Sequence, residues 1–334
     1  MHTLVDFFCE ILLFTFKKTA LDQVEYLKHL RRKNLEINND IEVINHLNSI
    51  SHFRLSAYMH TFYQPNDPEK KFIAGTNFND VIKLYLFDKN LRLLILNPIE
   101  SIEIALRTQV ASALAKNHGP LGYLNPKIFD SRYNHQKLIE LVTRQSYLQN
   151  SDIFKKNYST NNPKDPLQTP IWMAVEFLTL KEVSTLFSNL KLSSDTQIME
   201  AHFGWKFPLL KSWFRNVSDL RNLCAHHSRV WNREFGSIPE TPRKNPHNWP
   251  SIPNFISIPT KTSKSQFLNP QRRLYFQLIV IQALIKKILP INNWTNNLIH
   301  LLERNHHVSK SHMGFPNDWE SQKFWASSNV YQSL

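Results

Sequence analysis

Residues 78–116 read FNDVIKLYLFDKNLRLLILNPIESIEIALRTQVASALAK, the longest stretch of apolar helical periodicity in the chain. Within it the run from Leu91 to Val110 is strongly apolar yet carries Arg92, Glu100, Glu103 and Arg107, which predicts a buried helix and not a membrane span. Pro98 cannot donate to the turn before it, so a break or kink is expected there. Two acid–base pairs stand at i,i+4 spacing, Asp88 with Arg92 and Glu103 with Arg107. Charges on so apolar a helix are seldom buried without partners, so internal ion pairs that set helix register are the first expectation.

Working outward, helical spacing dominates. Helices are expected over 19–33, 41–50, 52–63, 135–149, 171–190, 206–234, 272–289 and 292–303. Residues 236–270 hold seven prolines and are read as a long loop, either functional or a mobile insert. The aromatic tail, with Met313, Phe315 and Trp319, is expected to dock on the body. Only 6 glycines occur in the chain, too few for many tight hairpins. The fold class is therefore all-α, one compact body with a C-terminal extension. The divisions read as an N-terminal extension 1–17, a helical domain 18–235, the Pro-rich loop 236–270, and C-terminal helices and tail 271–334.

The balance of 40 basic against 27 acidic side chains, a formal charge of +13, favours an acidic partner such as nucleic acid. Cys9 and Cys224 make at most one bridge, which fits a reducing cytoplasm. The apolar stretch 4–16 contains Asp6 and Glu10, lacks a basic leader and is too short to span a bilayer; no membrane partner is expected.

The richest chemistry lies at Asp219 to Arg233, read as the continuation of one helix. At about 100° per residue, Arg215, Asp219, Asn222, His226, Arg229 and Arg233 form a polar stripe. Trp213, Val217, Leu220, Cys224 and Trp231 lie opposite, with His227 among them. Arg221 sits at the flank. Arginine holds phosphate through a planar fork of donors, and histidine moves protons near neutral pH. No carboxylate cluster for a metal accompanies them, and Cys224, His226 and His227 diverge too far around a helix to share one ion. No metal and no cofactor is called for. Cys224, on the apolar side, reads as an inert buried thiol. Trp172, Trp205, Trp213 and Trp231 read as core.

The spacing Arg221 to His226, with Asn222 between, resembles the signature of HEPN-type ribonucleases, and the string through Arg229 and Arg233 resembles the Abi (abortive-infection) family of that group. The likeness extends to Ile50–Tyr58, Gly75–Phe78, Leu84–Asp88 with Leu91-Arg92, Ile99–Arg107, and Pro170–Trp172 with Glu176. The bare spacing is weak, since Arg54 and His60 also satisfy it at what reads as a packed helix end.

The resemblance implies a HEPN-like helical bundle with additional helices and a Pro-rich loop. It further implies a metal-independent endoribonuclease working as a homodimer, a toxin that arrests growth in antiviral defence. In that reading His226 moves the 2′-hydroxyl proton, Arg221 neutralises the phosphate and Asn222 holds the imidazole or a phosphate oxygen. Arg215, Arg229 and Arg233 position the RNA backbone, and Glu103, Arg107 and His227 act from behind, Glu103 by orienting the histidine. The sequence identifies neither an RNA nor a protein antitoxin that would restrain such a toxin. Beside it stands a non-catalytic RNA-binding or regulatory module on the same basic cleft. A DNA-binding regulator finds no helix–turn–helix to support it.

Overall fold

A computed structural model describes residues 20–148, 169–254, 256–258 and 266–326. The expectations for residues 4–16 and for Cys9 lie outside them. The chain forms two compact units, Met1–Leu86 and Phe87–Leu334, where the sequence pattern suggested one body.

The first unit holds α1 (Gln23–Arg32), α2 (Asp40–Ser49), α3 (His52–Met59) and the first turns of α4 (Phe78–His118). Its helix starts follow local rules. Asp22 and Glu25 form a reciprocal capping box, Asn39 caps α2 and Ser51 caps α3. The Arg54–His60 pair sits where α3 passes into a 3₁₀ turn, with the His60 ring edge-on to Tyr63.

The second unit continues α4 and adds α5 (His135–Leu148), α6 (Ile171–Phe177), α7 (Leu180–Ser188), α8 (Ser194–Phe203), α9 (Phe207–Ala225), α10 (Leu274–Ile288) and α11 (Trp294–Arg304). The fold class is all-α. Its one sheet among the described residues is a short antiparallel ribbon, β1 (Ile256–Ile258) with β2 (Gln266–Leu268), inside the segment read as loop.

Helix α4 runs through Pro98 without a break. The proline leaves the carbonyl of Leu94, four residues earlier, without its helical donor. The Trp294 indole supplies one, donating Nε1–H to the Leu94 oxygen at 2.9 Å. The interruption expected at Pro98 is thus avoided by a residue on α11.

The single helix expected over 171–190 is two. Thr179 leaves helical geometry and forms a capping box with Glu182, starting α7. Helix α8, absent from the sequence reading, starts at a Ser193 cap and ends at Gly204 in the left-handed region (φ 70°).

Helix α10 belongs to the core of the second unit. Every residue from Leu274 to Ile285 is buried, the signature of a helix apolar all round, and it packs on α8 and α9. The C-terminal part is therefore core material and not an appendage. The aromatic tail closes over it, with Met313, Phe315, Trp319 and Trp325 buried. The Pro-rich segment is tied to α9 by Trp249, which stacks on Trp213 (centroids 6.2 Å apart), while the Trp213 indole donates to the Glu240 carbonyl at 2.8 Å. No described helix is long and apolar enough to cross a membrane.

Candidate functional site

Helix α9 positions the site. Its apolar face, Trp213, Val217, Leu220 and Cys224, is buried, whereas Arg215 is exposed and Asp219 and Asn222 are half-buried. Burial pushes the Cys224 thiol up to about 12, with the Asp88 carboxylate adding to the effect, so it stays protonated and unreactive.

The helix ends nine residues earlier than its periodicity suggests. His226 is the C-cap, and His227 takes a left-handed conformation (φ 57°). The His227 amide donates to the Cys224 carbonyl at 3.0 Å and the Ser228 amide to the Leu223 carbonyl at 2.9 Å. That pair of bonds is a Schellman motif, with histidine where glycine is usual. His227 is accordingly exposed, and the expectation that it packs beside Cys224 and Trp231 is corrected: a residue past the helix end no longer follows the helical wheel.

What holds the chain after this turn is Asp88, 142 residues away from Val230. One carboxylate oxygen accepts from the amides of Val230 (3.1 Å) and Trp231 (2.7 Å), and the other pairs with Arg92. Both side chains of the ion pair are buried. The i,i+4 spacing foretold the ion pair, but nothing local foretold the grip on the motif segment. From the C-terminal side, Arg273 donates to Asn232 Oδ1 at 2.8 Å and the Phe235 amide to the Arg272 carbonyl at 2.9 Å. Gly314 packs so closely on Arg273 that an added Cβ would stand 2.7 Å from its Cβ.

The polar stripe of α9 forms one wall of a groove of about 1380 Å³. Arg215, Asp219, Asn222, His226 and Arg233 line it, as do Lys191, Lys211 and Ser237. The Ser237 hydroxyl donates to Asp219 at 3.2 Å, and Arg215 makes no ion pair among the described residues.

Other expected site residues lie elsewhere. Arg221 is outside the groove lining; its side chain is 40% exposed and its Nε stands 3.9 Å from Glu103. Glu103 pairs with Arg107, which also donates to the Val175 carbonyl. Glu103 therefore faces Arg221, where it was expected to orient His226. Arg229 lies off the groove and donates to the Asn232 carbonyl at 3.4 Å. Trp213 and Trp231 are buried as expected, but Trp172 is 44% exposed, because α6 is a short surface helix with its apolar contacts on the Ala174 and Val175 side.

No curated protein and no solved structure matches the chain. A family model described as Abi-like protein matches residues 45–232, more than half of the chain and all of the stretch from α3 through His226. The chain belongs to the Abi-like protein family, and its family ties it to abortive infection.

Proposed function

We propose that the protein acts in abortive infection as a metal-independent endoribonuclease, with His226 and Arg221 as its working pair. The carrying observation is that His226 stands exposed at the end of α9, on a groove wall shared with Asn222 and Arg233, with the half-exposed Arg221 just over one turn before it. His226 takes the proton of a ribose 2′-hydroxyl, whose oxygen attacks the adjacent phosphorus. The bond from phosphorus to the 5′-oxygen breaks as that oxygen gains a proton, leaving a 2′,3′-cyclic phosphate and a 5′-hydroxyl. Arg221 neutralises charge on the phosphate oxygens as the crowded intermediate forms. Asn222 steadies the imidazole or a phosphate oxygen, and Arg215 and Arg233 hold the backbone.

One helix end presents a single histidine to the groove. A homodimer, in which the partner subunit's His226 supplies the acid, completes the proton balance. The ion pair to Glu103 holds Arg221 at the flank, which favours the rival reading of a non-catalytic RNA-binding module on the same surface.

Cleavage assays in excess chelator separate the two. The ribonuclease reading expects chelator-resistant cleavage that falls by about 10²–10⁴ in His226→Ala and by about 10²–10³ in Arg221→Ala. His227→Gly, which suits the left-handed turn, should cut like wild type. RNA binding without cleavage under every condition would leave the binding module.

A further inference from the structure

The groove is larger than one reacting phosphate requires. Typical small-ligand pockets are about 300–1,000 Å³, and this one reaches about 1380 Å³. It follows α9 from Phe207 to the helix end, and at 1.5 Å per residue Lys211 and His226 lie about 22 Å apart along the axis. Its far half carries a pattern of its own. Lys211 and Arg215 are exposed and one turn apart on the same face, about 5–6 Å between Cβ atoms. The Lys211 ammonium sits 5.5 Å from the Phe207 ring centroid. Leu192, 78% exposed, also lines the groove. The wall also bears Asp130, but Arg132 holds that carboxyl down to about 2 and answers its charge.

We infer that this half of the groove, built from Lys211, Arg215 and Leu192, seats single-stranded RNA flanking the bond that His226 addresses. The inference rests on the ribonuclease reading and extends it. Cations one turn apart suit successive phosphates, and the exposed Leu192 in a concave wall suits an unstacked base, while Phe207, 3% exposed, stays in the core beneath Lys211. A duplex, recognised by its backbone and 2′-hydroxyls across a broad surface, gains nothing from Leu192. The length available corresponds to about four nucleotides, the lower end of known single-strand footprints.

The test is binding and cleavage of labelled oligoribonucleotides, from a dinucleotide to strands of about eight nucleotides, by the full chain. Affinity should climb with length and level off near four. The double variant Lys211→Glu/Arg215→Glu should weaken the longer strand at least tenfold and flatten the logarithmic salt dependence by about 1.4, two contacts at about 0.7 each. Lys323→Glu, an exposed change off the groove, is the control for diffuse charge. Equal affinity for the dinucleotide and the long strand overturns the inference while leaving cleavage intact, as does a control that matches the double variant. Length-dependent, charge-dependent binding without any cleavage keeps the seat and removes the enzyme. A chain that neither binds nor cuts RNA overturns both.

Discussion

Asp88 does two things with one carboxylate: it neutralises Arg92 and it accepts the amides of Val230 and Trp231. The contributions can be separated because an amide side chain keeps an acceptor but not the charge. Asp88→Leu removes the carboxylate that faces a buried guanidinium and the acceptor of two buried N–H groups, and should lower the unfolding free energy by about 3–5 kcal/mol. Asp88→Asn retains the acceptor for both amides and should cost about 1–3 kcal/mol. Denaturant midpoints measure the order. If leucine is tolerated as well as asparagine, the grip on residues 230–231 is not what Asp88 contributes. At this scale the sequence showed the right residue for half of the right reason. The pairing with Arg92 is local, but the bond to the motif segment joins positions 142 apart, and no spacing rule reaches that far.

Among the elements, α4 shows how a helix survives a proline. The Leu94 carbonyl freed by Pro98 is satisfied by Trp294, itself 3% exposed. Trp294→Phe should cost about 1–3 kcal/mol, because the carbonyl is then left without a donor. In a Pro98→Ala background the alanine amide serves that carbonyl, so the same change should cost less by about 0.5–1 kcal/mol, the coupling expected for two groups sharing one partner. Additive losses in the double-mutant cycle would mean that the indole contributes only packing. The elements also sort by legibility. The Thr179-Leu180-Lys181-Glu182 capping box that divides α6 from α7 was present as a signature and simply outweighed by the apolar run across it. Helix α8 left a fainter trace, a serine before it and Gly204 after, around few apolar residues.

For the second unit as a whole, the segment carrying the motif is held from both ends of the sequence, by Asp88 ahead of it and by Arg273 and the tail behind it. His312 belongs to that second support. Its ring lies 6.0 Å from Trp231, and burial, with the Arg273 charge beside it, lowers its pKa below 6.5. A base whose folded pKa is depressed binds its proton more readily when unfolded, so the stability it allows is full above the unfolded value and is lost as the pH falls from about 6.5 towards the folded pKa. Thermal midpoints should therefore decline below pH about 6.5, and His312→Gln should flatten that decline. An unchanged pH profile in the variant would assign the acid sensitivity to other groups; His29 and His202 are lowered in the same direction.

By itself the sequence determined the all-α class, the two faces of α9 and the ion pairs of α4, because each rests on periodicity or on spacing within a few turns, and it carried the family through a likeness of residue strings that the match over residues 45–232 bears out. Where α9 stops, which way Arg221 leans and how deeply α10 is buried came only from the tertiary structure. The helix end is set by a histidine adopting a left-handed turn that glycine would have announced, and by a distant carboxylate that draws the following amides out of helical bonding. Such competition between a local hydrogen-bond ladder and a remote acceptor leaves no mark on the residues that lose it.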